Sequence, residues 1–514
     1  MTAAVLKINT KRTSIFLLTV IGILPIMLFA ILWGFIYRIN IEIVILLSFV
    51  SLALYYLYWS IASIKLIGVK TWWLGLSLIW KVSIIAFVLI TALQASMPTN
   101  IPDDGFYYLQ TIKWANEEGI PLGVARFGFQ YWQFSSWHVL QAVFNLSYFF
   151  GNQFNVLNGW IMIMFILSST YNMNRAKINK QVYLVFGFFV VGMLQFFNTA
   201  PSPDLPVILL SLMVFKIFLF DERSNENFKL IVVLSLIAIS IKISAFYLIL
   251  FVIAFNYKLV LKDKRVIVIA TIIGLLLISK SLITSGSLIF PFDLYTPKWA
   301  NWTTDTKIIE ASEVIKKSPF INDYSELINN LKITEKFSSW FNYKGYRGIV
   351  NKVWLSGIIL LGLLALYSKS KKHLLLFLIS LIHFVFLWVS APYYRFAISI
   401  ILINYFIIID FLIGASLARY SKFLIPAGLL ISGIWLTPVI HPIQKLSTNE
   451  IITISYPIKL EYLLTPTKPF ISDTYEEKMF NGEAVFIPPG YHYAWDGPLP
   501  CVMRNHYERH TIKE

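Results

Sequence analysis

The amino-acid sequence predicts an all-α polytopic membrane protein, and three observations support that fold class. Of the 514 residues, 57% are hydrophobic and 14% are charged, whereas a soluble domain carries roughly 25% charged residues. Apolar runs close to the ~20 residues that cross a bilayer recur along most of the chain. Lysine and arginine are concentrated in every second segment between these runs, as the positive-inside rule predicts for the cytoplasmic segments of a membrane protein.

The apolar runs predict about 11 to 13 spanning or half-spanning helices. One run, 229–257, is interrupted by Lys242, and a lysine at the centre of a span costs about 3 kcal/mol on insertion scales. We therefore expect two short helices that turn near Lys242 and place its amine at a polar cavity. The uninterrupted runs cover 14–37, 41–64, 72–95, 154–171, 181–199, 204–220, 266–284, 353–368, 373–390, 396–415 and 422–438.

The formal net charge of +16 is explained by topology. With the amino terminus in the cytoplasm and spans alternating, the cytoplasmic segments hold nineteen lysines and arginines against four acids. The positive-inside rule predicts that excess, so the charge indicates membrane lipids as partners and no nucleic acid. We expect a multi-pass protein of a bacterial inner (plasma) membrane whose polar chemistry faces the periplasm or exterior.

Three segments then lie outside the cytoplasm. We divide the chain into a transmembrane module, 1–439, and a small non-cytoplasmic tail, 440–514 with short strand-like pieces. Within the module, the first outer loop, 96–153, carries an acidic motif, and the second outer loop is 285–351. Two interfacial helices are expected in the first outer loop, one ending near Glu118 and one spanning roughly 132–150, because their aromatic and amphipathic patterns suit the headgroup plane.

Three acids at the outer ends of helices are candidate catalytic residues. Asp103 and Asp104 follow Pro102 in the first outer loop, and Asp204 opens a span. A carboxylate in this position can act as a general base. The alternative is structural, since aspartate is also a favoured helix N-cap.

Three cations are candidate ligands for a phosphate. Arg395 stands at the outer start of a helix, where a guanidinium fork can hold a phosphate; snorkelling toward headgroups is the alternative. Lys242 interrupts a span, and Lys280 lies near the outer end of another. For Lys280, snorkelling is the stronger alternative.

Two further residues are candidates for substrate binding. His138 lies on an aromatic helix, where a structural role is the alternative, and Trp299 in the second outer loop can stack on a sugar or anchor at the interface. No set of side chains has metal-ligand spacing. We therefore expect neither a metal nor a cofactor.

Together these patterns resemble the GT-C superfamily of membrane glycosyltransferases, which includes protein mannosyltransferases and lipid A aminoarabinose transferases. Within that group the chain looks closest to a family of uncharacterised multi-spanning bacterial proteins. In GT-C enzymes the acidic loop usually follows the first span, whereas here two spans precede the run that leads into it. The likeness is carried by DDGFYYLQ at 103–110, SPDLP at 202–206, SGSLIFP at 285–291, APYYRF at 391–396 and WDGPLPC at 495–501.

The resemblance implies a GT-C-like fold and an inverting transfer of a hexose or pentose from a polyprenyl-phosphate donor. The acceptor is a cell-envelope glycan, a lipid or a protein. The resemblance implies that an acid in the first outer loop is the base, for which we favour Asp103 over Asp104. It also implies donor-phosphate binding by Arg395 and Lys242, and Tyr107 in the acidic motif is a candidate for substrate contact.

Three other functions remain open at this stage. A flippase or transporter for lipid-linked sugars would use Lys242 and Asp204 to line a pathway, although no paired inverted halves are evident. An O-antigen-type polymerase would use a pyrophosphate-linked donor. A non-catalytic envelope scaffold leaves Lys242 unexplained.

Overall fold

The computed structural model describes the chain as a bundle of α-helices with one small β-hairpin. Eight of the described helices are long and apolar enough to cross a membrane, or nine if one bent pair counts as a single span. The protein is thus a multi-pass, mostly helical membrane protein. Apart from a few residues near the amino terminus, the structure describes residues 13–99, 101–171, 178–288, 313–320, 332–434, 458–467, 475–480, 482–489, 493–504 and 507–508.

The helices follow the apolar runs. They are α1 (Ile15–Gly34), α2 (Ile41–Leu57), α3 (Trp59–Leu74), α4 (Leu78–Ser96), α5 (Leu109–Glu117), α6 (Ser136–Phe144), α7 (Ser147–Phe150), α8 (Leu157–Thr170), α9 (Ile178–Leu194), α10 (Asp204–Phe220), α11 (Asn225–Ile241), α12 (Leu248–Lys262), α13 (Lys264–Ser285), α14 (Ile333–Phe341), α15 (Tyr346–Ser368), α16 (Lys371–Ser390), α17 (Tyr394–Arg419) and α18 (Ser421–Ile434). The hairpin strands are β1 (Glu476–Phe480) and β2 (Glu483–Ile487).

The core lies among α9, α10, α11 and α17. Helix α10 packs on both α11 and α17, and α9 packs on α17 and α18. Nearly every residue of α10 and α11 is buried, whereas the spans at the periphery keep exposed apolar faces. A helix that is hydrophobic all round belongs in the interior of a bundle, so α10 and α11 form the centre on which the polar residues are placed.

The second apolar run is not one straight span. Helices α2 and α3 meet at Tyr58 at an angle of 85°, and apart from a few residues such as Ile43 and Trp72 their side chains are largely exposed. The two helices together have the hydropathy of one continuous apolar run. Hydropathy alone therefore did not predict the bend. The prediction of a simple span at 41–64 is therefore wrong in detail.

The break at Lys242 is confirmed. Helix α11 ends at Ile241 because Lys242 adopts an extended conformation (φ −153°, ψ 125°). A short 3₁₀ turn, Ile243–Tyr247, follows and leads into α12. The carbonyl of Ile241 accepts a hydrogen bond of 2.8 Å from the Ser135 hydroxyl, which satisfies part of the opened helix end.

The first outer loop contains the two expected helical regions, but protein covers both. The first is a π-helical turn, Asp104–Tyr108, that continues into α5, and the second is α6. Most residues of α5 and nearly all of α6 are buried. Protein covers them because α6 packs on α1 and α5 packs on α6, and their position in the headgroup plane stays a prediction.

Candidate functional site

Asp103 and Arg395 form an ion pair although 292 residues separate them in sequence. Asp103 stands at the N-cap of the π-helical turn, and Arg395 is the second residue of α17. The phenol of Tyr108 lies 3.4 Å from the same carboxylate oxygen. The side chains of Asp103 and Arg395 keep 24% and 31% of their exposure, so the pair is half-buried and reachable by a ligand.

Asp204 and Lys242 form a second ion pair that is almost fully buried. Asp204 is the first residue of α10, and Lys242 is the extended residue after α11. The ammonium of Lys242 also lies 4.4 Å from the centre of the Phe396 ring, in a cation–π contact. The helix break thus delivers the lysine to the start of the neighbouring helix.

The two ion pairs belong to one cluster. Phe396 is adjacent to Arg395 in α17 and contacts Lys242. Lys242 interacts electrostatically with Asp103 and Arg395 as well as with Asp204, and Arg395 interacts with Asp204. The structure therefore brings Asp103, Asp204, Lys242 and Arg395 together from four separate segments.

Lys280 is a buried cation next to this cluster. Its ammonium donates a 3.0 Å hydrogen bond to the hydroxyl of Ser136, and its residue exposure is 5%. Among the residues that the structure describes, Lys280 has no carboxylate within ion-pair distance. Protein encloses this side chain, whereas a snorkelling lysine extends toward the headgroups; the phosphate role of Lys280 stays a prediction.

His138 lies on α6, one turn from Ser135 and close to the acidic motif. Its ring is 4.9 Å from the ring of Tyr108 and 6.2 Å from that of Tyr107. Burial lowers the pKa of His138 to about 3, with Lys280 and Lys242 adding to the effect and the Pro201 carbonyl opposing it. Neither ring nitrogen makes a hydrogen bond of ordinary geometry. At neutral pH the imidazole is therefore a neutral polar group and a weak base.

Asp104 faces different surroundings from Asp103. It is 1% exposed, and its Oδ1 atom has no hydrogen-bond partner among the described residues. Burial raises the pKa of Asp104 well above the usual range; a hydrogen bond from the Thr99 side chain opposes this shift, and the nearby Asp496 and Asp103 carboxylates add to it. Asp104 lines a cavity of ≈ 510 Å³ that is not lined by Asp103, Asp204, Lys242 or Arg395.

The carboxy-terminal tail holds the helix that carries both aspartates. The backbone N–H of Trp495 donates to the Gly105 carbonyl at 2.8 Å. Gln110 donates to the carbonyls of Trp495 and Gly497, each at 3.0 Å, and Lys113 donates to the Gly497 carbonyl at 3.1 Å. These bonds join residues nearly 400 positions apart and fix the acidic motif against the tail.

Sequence reasoning missed several positioning residues. Ser135 and Ser136 hold the broken helix end and Lys280. The buried amide of Asn158 donates to three carbonyls, those of Phe197, Ala200 and Ser202, and so orders the turn that leads to Asp204. Serine and asparagine are common in loops, so only their position beside predicted helix ends offered a signal. Trp299 lies outside the described residues.

No group of three or more metal-binding side chains is found within the described part of the chain.

Comparison with known sequences and structures gives one informative result. No curated protein and no solved structure matches the chain. A family model matches residues 1–402, a range that includes Asp103, Asp204, Lys242 and Arg395 and ends before the tail. The chain therefore belongs to the family described as "Domain of unknown function (DUF8201)".

Proposed function

We propose that this protein is a membrane glycosyltransferase of the GT-C type. It moves a sugar from a polyprenyl-phosphate donor to an envelope glycan, a lipid or a protein on the non-cytoplasmic face of a bacterial inner membrane. The observation that carries the proposal is the cluster of Asp103, Asp204, Lys242 and Arg395, which combines carboxylates with cations at the ends of helices. Such a cluster suits a reaction that removes a proton and releases a phosphate.

The donor has a lipid tail, a phosphate and a sugar, and each part has a matching environment. The tail lies in the bilayer beside the apolar helices, whose peripheral faces are exposed. The phosphate meets the guanidinium of Arg395, with the ammonium groups of Lys242 and Lys280 close by. Arginine and lysine aimed at a phosphate stabilise the charge that develops as it leaves.

Donor binding also frees the base. Without a ligand, the Asp103 carboxylate is paired with Arg395, so it is not free to meet an acceptor hydroxyl. The donor's phosphodiester, which carries one negative charge, competes for the same guanidinium and leaves Asp103 available to the acceptor hydroxyl. The base is thus occupied by Arg395 until the donor is bound, which limits unproductive hydrolysis.

The chemical step is a direct displacement. Asp103 takes the proton of the acceptor hydroxyl, and the hydroxyl oxygen forms a bond to the anomeric carbon of the sugar. The bond from that carbon to the phosphate oxygen breaks, and its electron pair leaves on polyprenyl phosphate. Attack opposite to the leaving group inverts the anomeric centre. The Asp204 carboxylate holds Lys242 in place through their ion pair.

The test is transfer by the purified protein in lipid vesicles. Vesicles containing polyprenyl-phosphate hexose or pentose donors are supplied with an envelope extract as acceptor, and released polyprenyl phosphate and glycosylated product are measured by mass spectrometry. We expect Asp103→Asn to reduce transfer at least ~100-fold, as loss of a general base does, with normal insertion and thermal stability. Asp410→Asn is the matched control, because residue 410 lies about 22 Å along α17 from Arg395.

Two results would contradict the proposal. Transfer by Asp103→Asn at a rate near that of the unchanged protein excludes this residue as the base. Movement of an intact lipid-linked sugar across the vesicle membrane, without a new glycosidic bond, identifies a flippase instead.

A further inference from the structure

A second polar cavity lies beside the acidic motif, apart from the ion-pair cluster. Its walls come from the ends of two apolar segments, from the first outer loop and from the tail, and its volume of ≈ 510 Å³ is within the usual range for small-molecule sites. Residues near the ends of those segments include Ser96 and Thr199, and the tail contributes Tyr462 and Trp495. The position at the ends of spans places the cavity at the level of the membrane surface.

The polar atoms of this cavity need hydrogen-bond donors. Asp104 is 99% buried, and its Oδ1 has no partner in the part of the chain that is described. The side-chain oxygens of Gln153 and Asn155, which also line the cavity, are likewise buried without a partner. Unsatisfied buried acceptors are costly, so the cavity is suited to a ligand rich in hydroxyl groups.

Aromatic rings line the cavity beside these polar atoms and offer apolar surfaces to a ligand. Trp495, Tyr462 and Phe154 line the cavity together with the polar atoms. Aromatic side chains offer large apolar faces, and the C–H faces of a sugar ring pack on such surfaces while its hydroxyls point to acceptors at the edge. This combination is typical of carbohydrate binding.

The charges of this cavity do not favour an anionic ligand. Among the described residues that line it, the acids are Asp104, Glu461 and Asp496 and the one cation is Lys459, which is already paired with Glu461 at 3.2 Å. A phosphate would therefore find no unpaired cation in this lining, whereas the cations are concentrated at the separate ion-pair cluster.

We infer that this cavity binds a neutral saccharide, with Asp104 and the amides holding its hydroxyls and Trp495 and Tyr462 packing on its rings. As an acceptor site this assignment depends on the proposed glycosyltransferase function, but saccharide binding itself does not. Adjacent aspartates then serve two substrates, with Asp103 facing the donor phosphate and Asp104 facing the saccharide.

Binding is tested on the full-length protein in detergent, without a donor. Saturation-transfer NMR and calorimetry are used with maltotriose, cellotriose, mannotriose and chitotriose, and with trigalacturonic acid as the anionic comparison. We expect at least one neutral trisaccharide to bind and trigalacturonic acid to bind at least tenfold more weakly. Asp104→Leu and Tyr462→Ala should each weaken binding at least tenfold, and the exposed Glu118→Gln should not change it.

Tyr462→Ala guards against a folding artefact, because Tyr462 makes none of the tail contacts to the acidic motif that were described above. The inference is overturned if no neutral trisaccharide binds, if the anionic one binds best, or if neither cavity variant weakens binding. Asp103→Asn separates the two proposals. Binding that persists in this variant, together with unchanged transfer, overturns the catalytic proposal alone, whereas transfer without saccharide binding overturns the cavity assignment alone.

Discussion

At the scale of single residues, the Asp204–Lys242 pair shows how this protein tolerates a charge in its interior. A lysine ammonium and a carboxylate are each costly to bury, and each makes the other acceptable. The pair is nearly inaccessible to solvent, with side-chain exposures of 7% for Lys242 and 4% for Asp204. Replacing either residue alone is therefore expected to destabilise the protein, whatever its effect on transfer activity.

We expect Lys242→Met to lower the free energy of unfolding by about 3–5 kcal/mol, because Asp204 is then a buried charge without a partner. The double variant Asp204→Asn/Lys242→Met should recover most of that loss while remaining inactive in transfer. Thermal unfolding in detergent measures both. Equal destabilisation by the single and double variants would show that the two side chains do not interact energetically.

At the scale of elements, the contact between the acidic π-helical turn and the tail depends on one glycine. A Cβ atom built on Gly105 would lie 2.6 Å from the ring of Trp495, and real Cβ contacts essentially never come that close. The indole therefore fits only against a residue without a side chain. This contact orients Asp103 and Asp104 from outside the helix.

Gly105→Ala should displace the tail. We expect residues 493–504 to become more accessible to protease and to hydrogen exchange, and transfer to fall at least tenfold because a small misplacement of a catalytic group is costly. The control is Gly274→Ala in α13, where a Cβ meets no atom within 4 Å. Unchanged protection of the tail in Gly105→Ala would mean that the ring adjusts without releasing it.

The elements were largely predictable from sequence, and the contacts between them were not. Bilayer thickness fixes the length of each apolar run, so helices such as Lys371–Ser390 begin and end within a few residues of the runs that predict them. The position of Lys242 inside an apolar run predicted the helix break. The Trp495–Gly105 contact arises from tertiary packing, for which hydrophobic periodicity carries no information. The 85° bend between α2 and α3 falls within a run whose hydropathy is continuous, so hydropathy did not predict it either.

The site was predictable in its residue types and less so in its pairings. Asp103, Asp204 and Arg395 were identifiable as charges near the ends of apolar runs, and Lys242 as a charge inside one, where the bilayer makes charges expensive. Which acid meets which base depends on how helices distant in sequence pack. Asn158 and Ser135 were not identifiable, because small polar residues near helix ends are ordinary.

At the scale of the whole molecule, the distribution of lysine and arginine predicts the orientation. Helices α15 and α16 are joined by a basic turn at Lys369–Lys371. By the positive-inside rule we expect this turn in the cytoplasm and the β-hairpin outside it. The proposed reaction requires this arrangement, because the ion-pair cluster must meet a donor whose sugar has reached the outer leaflet.

Cysteine labelling tests the orientation cleanly, because the sequence has a single, buried cysteine, Cys501. In a Cys501→Ala background, a membrane-impermeant maleimide should label Met479→Cys in intact cells, since Met479 is 62% exposed. Lys371→Cys should be labelled only after the membrane is opened. The reverse pattern would place the candidate site in the cytoplasm and rule out the proposed donor.

The adjacency of Asp103 and Asp104 makes the helical register of the acidic motif part of the specificity of the protein. Neighbouring positions on a helix differ by about 100° in direction, which separates the carboxylate beside Arg395 from the one beside the cavity. Deleting one residue just before this motif would turn both acids by about 100° in the same sense, so that one of them takes the direction of the other while the second leaves both surroundings. If the proposed function holds, chains of this family with a shifted motif would differ in the molecules that they bind.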